Sequence, residues 1–349
     1  MPKRDLLTVE LRPLAGDRFQ PTGFPDIGAA LYDRPVGSDG WESCLLLESA
    51  QSMANHLEAT AWDKGRQAPV EAFADLPFVR VVGTDGRFLA SSRTEAHRLA
   101  SAFVKDATLD GEQMRTVIRE RLGLQDETPL APRDIAKAVF SLDPMCLVHG
   151  VFFAESAKVW PGQPKIARAL TSFVEAHDVR QAVSGGVKRD DVRHSIEGTG
   201  GAAEGYGFVP FHRTEYVARE IVASFSLDLD QVASYGLPQA AADLLVAAAR
   251  FEVRSLLDAG FRPRTACDLV PVDAGAVDSV LPTLADLTAD VQRLARECAE
   301  LFGEGVMEVC WDRAKAKKPK KGGAADTDGD ATDGADSLDA NEDSEENPE

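Results

Sequence analysis

Polar and apolar positions alternate most strictly between residues 219 and 230, which read R-E-I-V-A-S-F-S-L-D-L-D. Ile221, Ala223, Phe225, Leu227 and Leu229 fall on one side of an extended backbone; Ser224, Ser226, Asp228 and Asp230 fall on the other. A period of two predicts a strand with one buried face. Weaker forms of the pattern predict strands at Leu6–Leu11, Thr265–Val272 and Val306–Trp311. Phe78–Ala90 reads as a hairpin turning at Asp85-Gly86, a dipeptide suited to tight strand turns. The mostly apolar run Met145–Ala154 predicts one more strand, with His149 as a core histidine.

Elsewhere the period lengthens to that of a helix. Over Ser43–Ala59, Leu46, Ala50, Met53 and Leu57 share one face, and Glu48, Gln51, Ser52 and Asn55 the other. That polar face carries amides and hydroxyls and no lysine or arginine, a composition able to hold a sugar-phosphate chain by hydrogen bonds. Helices are also predicted at Thr94–Ala107 and at Asp110–Leu122, the latter opened by an Asp110/Gln113 capping pair and ended by Gly123. A further helix is expected from Pro164 to Asp178, with Ile166, Leu170 and Phe173 inward. Two more follow, from Pro238 to Ala259 and from Leu284 to Phe302. Strand-helix-strand units mixed with hairpins predict an α+β fold of ferredoxin-like type. It would occupy residues 1–313, with large insertions near 60–130 and 180–216.

Net charge changes this picture only locally. The 349 residues carry −19, but eleven Asp or Glu and no Lys or Arg lie from Gly322 to Glu349, leaving −8 for the rest. A nucleic-acid surface on such a chain must be a local stripe. Residues 314–349, basic then acidic and poor in apolar side chains, read as a disordered tail. Five scattered cysteines without a C-x-x-C pair predict neither a disulfide framework nor a zinc site, and no cofactor is expected. No signal segment or membrane-spanning run is legible, so a soluble, cytoplasmic protein without a membrane partner is expected.

The local stripe is found between Ala182 and Tyr216. This stretch holds seven glycines, the basic groups Lys188, Arg189, Arg193, His194, His212 and Arg213, and the aromatics Tyr206, Phe208, Phe211 and Tyr216. It predicts a long loop that neutralises phosphate and stacks on bases. Neither a Rossmann turn nor a P-loop is present, since no strand runs into its glycines and no G-K-[ST] occurs. A second loop, Arg12–Gly28, places Arg18, Phe19, Gln20 and Thr22 on a backbone stiffened by three prolines. The competing reading is a metal-independent endoribonuclease with His194 or His212 as general base, partnered by Asp190, Asp191, Glu197 or Glu204. No spacing fixes such a pair on one rigid element.

Five ordered blocks resemble one family. They are R-F-Q-P-T-G-F-P-D-I-G (Arg18–Gly28), L-L-L-E-S-A-Q-S-M-A-N (Leu45–Asn55), S-G-G-V-K-R-D (Ser184–Asp190), G-F-V-P-F-H-R-T-E-Y (Gly207–Tyr216) and F-R-P-R-T-A-C-D-L (Phe261–Leu269). Together they are similar to the CRISPR-associated RAMP backbone subunit, of the Csb type, of the type I-U (I-G) Cascade surveillance complex. The resemblance implies a modified RNA-recognition-motif palm with finger- and thumb-like insertions. It implies a non-enzymatic protein whose copies stack along a CRISPR RNA and leave the bases free to pair with target DNA. Other Cascade subunits and a recruited helicase-nuclease would be its partners. The positions matching the family's RNA-binding regions are Arg18, Gln20, Thr22, Ser49, Gln51, Ser52, Asn55, Lys188, Arg189, His212, Arg213 and Arg264. Some related type III backbones cut target RNA with a loop aspartate, which draws attention to Asp190 and Asp191.

Overall fold

The computed structural model describes residues 3–21, 23–24, 28–189, 208–264 and 267–312. The chain opens with β1 (Arg4–Pro13), β2 (Leu31–Val36), β3 (Gly40–Glu48) and α1 (Ala50–Thr60). Next come β4 (Phe78–Gly83), β5 (Phe88–Ser91), β6 (Thr108–Leu109), β7 (Glu112–Gln113), α2 (Met114–Arg121), α3 (Pro132–Leu142) and α4 (Met145–His149). Four strands follow: β8 (Leu170–His177), β9 (Arg180–Arg189), β10 (Phe208–Val217) and β11 (Glu220–Asp228). The last elements are α5 (Gln239–Ala259), β12 (Phe261–Arg264), β13 (Cys267–Pro271), α6 (Leu284–Glu297) and β14 (Val306–Trp311).

The architecture is mixed α+β. Among the described residues, seven strands form an antiparallel sheet in the order β12-β13-β1-β11-β8-β3-β2. A second sheet runs β7-β6-β14-β4-β5, with the late strand β14 lying parallel to β4. β9 and β10 leave the first sheet between β8 and β11 as a two-stranded ribbon, in register from Arg180↔Val217 to Arg189↔Phe208.

Helices α1 and α5 cover one face of the first sheet, α1 against β8 and α5 against β11 and β13. On β11, Ile221, Ala223, Phe225 and Leu227 are buried and the residues between them are not, as the alternation predicted. Leu229 departs from that pattern, because Asp228 caps a short helix that starts there. On α5, Leu244, Leu245, Ala248, Leu256 and Leu257 face inward as expected. Each large apolar side chain buried here contributes about 1.5–3 kcal/mol.

Several expectations are corrected by the structure. Residues 43–48 are strand rather than helix: Leu45 and its neighbours pair with β2 on one side and β8 on the other. A short apolar run fits a doubly buried strand as well as a helix, and pairing decided it. Residues 170–177 are likewise strand, with Leu170, Ser172, Val174 and Ala176 buried in alternation. Conversely, Met145–His149 is a short, fully buried helix closed by Gly150. The expected cap at Asp110/Gln113 is instead the β6–β7 hairpin, whose turn residues Asp110 and Gly111 have φ +50° and +90°. Only Ala102–Lys105 of the helix expected at 94–107 is α-helical. The glycine-rich stretch is a paired ribbon at both its ends, because cross-strand hydrogen bonding outweighs the entropic cost of Gly185 and Gly186. The tail expectation falls outside the described residues.

Candidate nucleic-acid interface

The loop after β1 is anchored where the ribbon leaves the sheet. Leu14 N–H donates to the Asp268 carbonyl at 2.7 Å, and Phe19 and Tyr216 exchange both backbone hydrogen bonds at 2.9 Å. Phe19 is 1% exposed and Tyr216 is 5% exposed, so this bridge is sealed into the core. Alternation about Phe19 sends Arg18 and Gln20 the other way.

There they meet the ribbon. Arg213 and Glu215, two apart on β10, share one face. Arg18 Nη1 lies 3.1 Å from Glu215 Oε2, and Arg213 Nε lies 3.3 Å from Glu215 Oε1. Arg213 Nη2 also donates to Gln20 Oε1 at 3.0 Å. Among the described residues, two guanidinium groups, an amide and one carboxylate are therefore tied into one cluster. The Arg18 side chain is 58% exposed while that of Glu215 is 12% exposed. The cluster can thus offer guanidinium edges to a phosphate above a buried acceptor that fixes their direction.

Lys188, Arg189 and His212 hold register positions further along the ribbon, opposite Val209, Phe208 and Gly185. Lys188 stands four residues from the Arg213 pair, roughly 13 Å along the strand. Thr22, Asp190, Asp191, Arg193, His194, Glu197 and Glu204 lie outside the described residues. Arg264 ends β12, the edge strand of the first sheet, opposite Cys267.

The α1 set sits on a separate element. Gln51 and Asn55 are exposed and Ser52 is half-buried, as the helical period predicted. Ser49 is the N-cap, its hydroxyl accepting from Ser52 N–H at 3.3 Å. That explains its residue type by helix geometry. Glu48, assigned to the same face from the sequence, is instead buried at the end of β3.

Sequence reasoning missed Glu215, although the R-x-E spacing on an extended segment was its signal. It also missed a cluster assembled from three strands of the first sheet. His177 Nδ1 lies 3.1 Å from Glu220 Oε2, and His177 Nε2 lies 3.2 Å from Arg34 Nη1. Tyr32 donates to Glu175 Oε1 at 2.7 Å, and burial together with that carboxylate pushes its phenol pKa up. Nothing in the sequence brings these positions together.

His149 is buried, as expected, and its Nε2 lies 2.7 Å from Glu252 Oε2. Burial drives the imidazole down to about 4 and the Glu252 carboxyl up to about 8. Among the described residues no three His, Cys, Asp or Glu side chains gather in a metal-holding group, and no helix is long and apolar enough to cross a membrane.

Residues 6–181, just over half of the chain, match the model of the family described as CRISPR-associated protein GSU0053. Among solved structures, a chain of an assembly described as "CRISPR RNA-guided surveillance complex, pre-nicking" aligns at 10% identity. The alignment covers 85% of this chain and 88% of that one, with a TM-score of 0.31, too low to bear on the fold. No curated protein matches the sequence significantly.

Proposed function

The chain belongs to the family of CRISPR-associated protein GSU0053, and from that premise we propose that it is a guide-binding backbone subunit of a type I-U (I-G) surveillance complex. Several copies bind head to tail along one CRISPR RNA in the cytoplasm and leave its bases free to pair with target DNA. Other complex subunits and a recruited helicase-nuclease complete the assembly. The subunit itself cleaves nothing and needs no cofactor. The first sheet serves as a ferredoxin-like palm, a reading supported by β1, α1, β8, β11, α5 and β13 following in chain order with β13-β1-β11-β8 side by side. The ribbon between β8 and β11 takes the thumb-like role.

One observation carries this proposal: Arg18, Gln20 and Arg213, far apart in sequence, converge at the root of a projecting ribbon that bears Lys188 and Arg189. Cations on a local stripe of an acidic protein fit backbone recognition, while base pairing supplies sequence specificity. The test is binding to guide-length RNA across a salt series, for wild type and for Lys188→Ala/Arg189→Ala. Expected are RNA-length-dependent oligomers on intact RNA and weaker binding by the double variant. Its salt slope should fall by about 1.4, two single-strand phosphate contacts. Equal binding by the variant removes the ribbon from the site. RNA fragments produced by the protein alone would overturn the non-enzymatic reading in favour of a nuclease.

A further inference from the structure

Helix α1 offers Gln51 and Asn55 to solvent, and its next position on that stripe is Glu58. Offsets of four and three residues put all three on one side of the helix, with Asn55 and Glu58 about 4.5 Å apart along the axis. Yet Glu58 is 9% exposed, because the segment before Ala102–Lys105 folds over it and delivers Arg98. Arg98 Nε and Nη2 donate to the two Glu58 oxygens, each at 2.7 Å, in a two-pronged fork. Its Nη1 donates to the carbonyls of Gly150 at 3.2 Å and Ala96 at 3.3 Å.

Two backbone features are spent on this contact. Arg98 has φ +53°, a conformation that strains a long side chain of its kind and persists only where the surroundings enforce it. Gly150 has φ +82°, and a Cβ there would stand 2.8 Å from the Ile166 carbonyl oxygen, so the acceptor site is open only to glycine. A strained donor and a glycine-only acceptor both converge on one end of the α1 polar stripe. Met53, Ala54 and Leu57 pack the helix into the core, and the Arg98–Glu58 fork adds a polar contact at the edge of its polar stripe.

We propose that Arg98 is a positioning residue: through Glu58 it fixes the rotation of α1 and so aims Gln51 and Asn55 at the RNA backbone. This inference rests on the function proposed above. Arg98 touches no ligand and acts only by holding the helix.

The test compares wild type, Arg98→Met, the double variant Glu58→Met/Arg98→Met, and Arg98→Lys. Arg98→Met strands a buried carboxylate and lowers Tm, whereas the double variant recovers Tm because a buried ion pair exchanges well for apolar groups. Binding of guide-length RNA by the double variant is expected to weaken by about tenfold, the equivalent of one well-aimed hydrogen bond. Hydrogen exchange of the 51–58 amides is expected to quicken. Wild-type RNA affinity together with wild-type amide protection in the double variant would overturn the proposal. If the wild type itself binds no RNA, the functional reading falls, and the exchange measurement still decides whether Arg98 holds the helix. If the double variant does not fold, Arg98→Lys, which keeps the charge and loses the fork, is read in the same way.

Discussion

Arg213 Nη2 donates to Gln20 Oε1 at 3.0 Å, joining two residues 193 positions apart in the chain. The bond ties the ribbon root to the first loop, beside the Phe19–Tyr216 backbone bridge. The two partners differ in one respect that RNA binding can resolve: only Arg213 is charged. Arg213→Ala is expected to weaken RNA binding and to lower its salt slope by about 0.7, one phosphate contact on a single strand. Gln20→Ala should weaken binding less and leave the slope unchanged. Filter binding between low and moderate salt checks both, and equal slopes for wild type and Arg213→Ala would remove Arg213 from the interface.

Glu215 shares its carboxylate between Arg18 and Arg213, at 3.1 and 3.3 Å. In the free protein that carboxylate offsets one of the two charges available to a phosphate. Glu215→Gln keeps an oxygen acceptor in place and removes the negative charge. RNA affinity is therefore expected to rise several-fold at low salt, about 1 kcal/mol, with a steeper salt slope. Weaker binding by this variant would mean that Glu215 is needed as an ionic brace.

How much of this was legible in the sequence depends on whether one residue run contained its own answer. β11 did, because one face is covered by helices and the other is not, so burial follows the two-residue period directly. α5 did as well, with Pro238 before it and Gly260 after it. β3 did not, since Leu45 and Leu47 are buried against partners that the local pattern cannot name. β8 contained a genuine alternation, but Ile166, Leu170 and Phe173 also satisfied a helical spacing, and only pairing with β3 and β11 separates the two. Arg18, Gln20 and Arg213 were legible as candidates; their convergence and the role of Glu215 were not, because both depend on how the ribbon root meets the loop. The Arg98–Glu58 contact was hidden for a similar reason, as it depends on a backbone conformation no residue preference predicts.

The buried His149–Glu252 pair makes stability depend on pH in a defined direction. With Glu252 raised to about 8 and His149 lowered to about 4, the folded pair holds one proton at neutral pH. In the unfolded chain the carboxylate is ionised and the imidazole mostly neutral above pH 6.5, so that proton is lost. The folded state therefore binds more protons between pH 6.5 and 8, and this contribution to stability falls as pH rises through that window. Below 6.5 the two shifts oppose each other: Glu252 favours the folded state in acid, whereas His149 disfavours it. Glu252→Gln retains a hydrogen-bond donor toward His149 Nε2 and abolishes the proton uptake. Urea unfolding at pH 6.5, 7.25 and 8 is expected to show the wild type losing up to about 1.4 kcal/mol per pH unit relative to the variant. Parallel pH profiles for the two proteins would exclude a proton held by this pair.

Gly150 and Gly111 both have positive φ, +82° and +90°, yet their surroundings predict different costs for a methyl group. At Gly111, in the β6–β7 turn, an added Cβ meets nothing within 4 Å, so Gly111→Ala carries only the conformational penalty, about 1 kcal/mol. At Gly150 the same Cβ would stand 2.8 Å from the Ile166 carbonyl oxygen and 3.1 Å from the Arg168 backbone nitrogen. Those backbone groups cannot swing aside as a side chain would, and Val151 next to the glycine pairs with Ile166 in a small antiparallel bridge. Gly150→Ala is therefore expected to cost about 2–4 kcal/mol, the conformational penalty plus overpacking. Moving the Gly150 carbonyl also withdraws an acceptor from Arg98, so amide exchange in residues 51–58 should rise in Gly150→Ala and not in Gly111→Ala. Urea unfolding at constant m-value, paired with that exchange measurement, separates a local clash from a strained backbone that holds the α1 clamp. Equal destabilisation by the two alanines, with unchanged exchange in α1, would show that the backbone at Gly150 yields freely and is not part of the clamp.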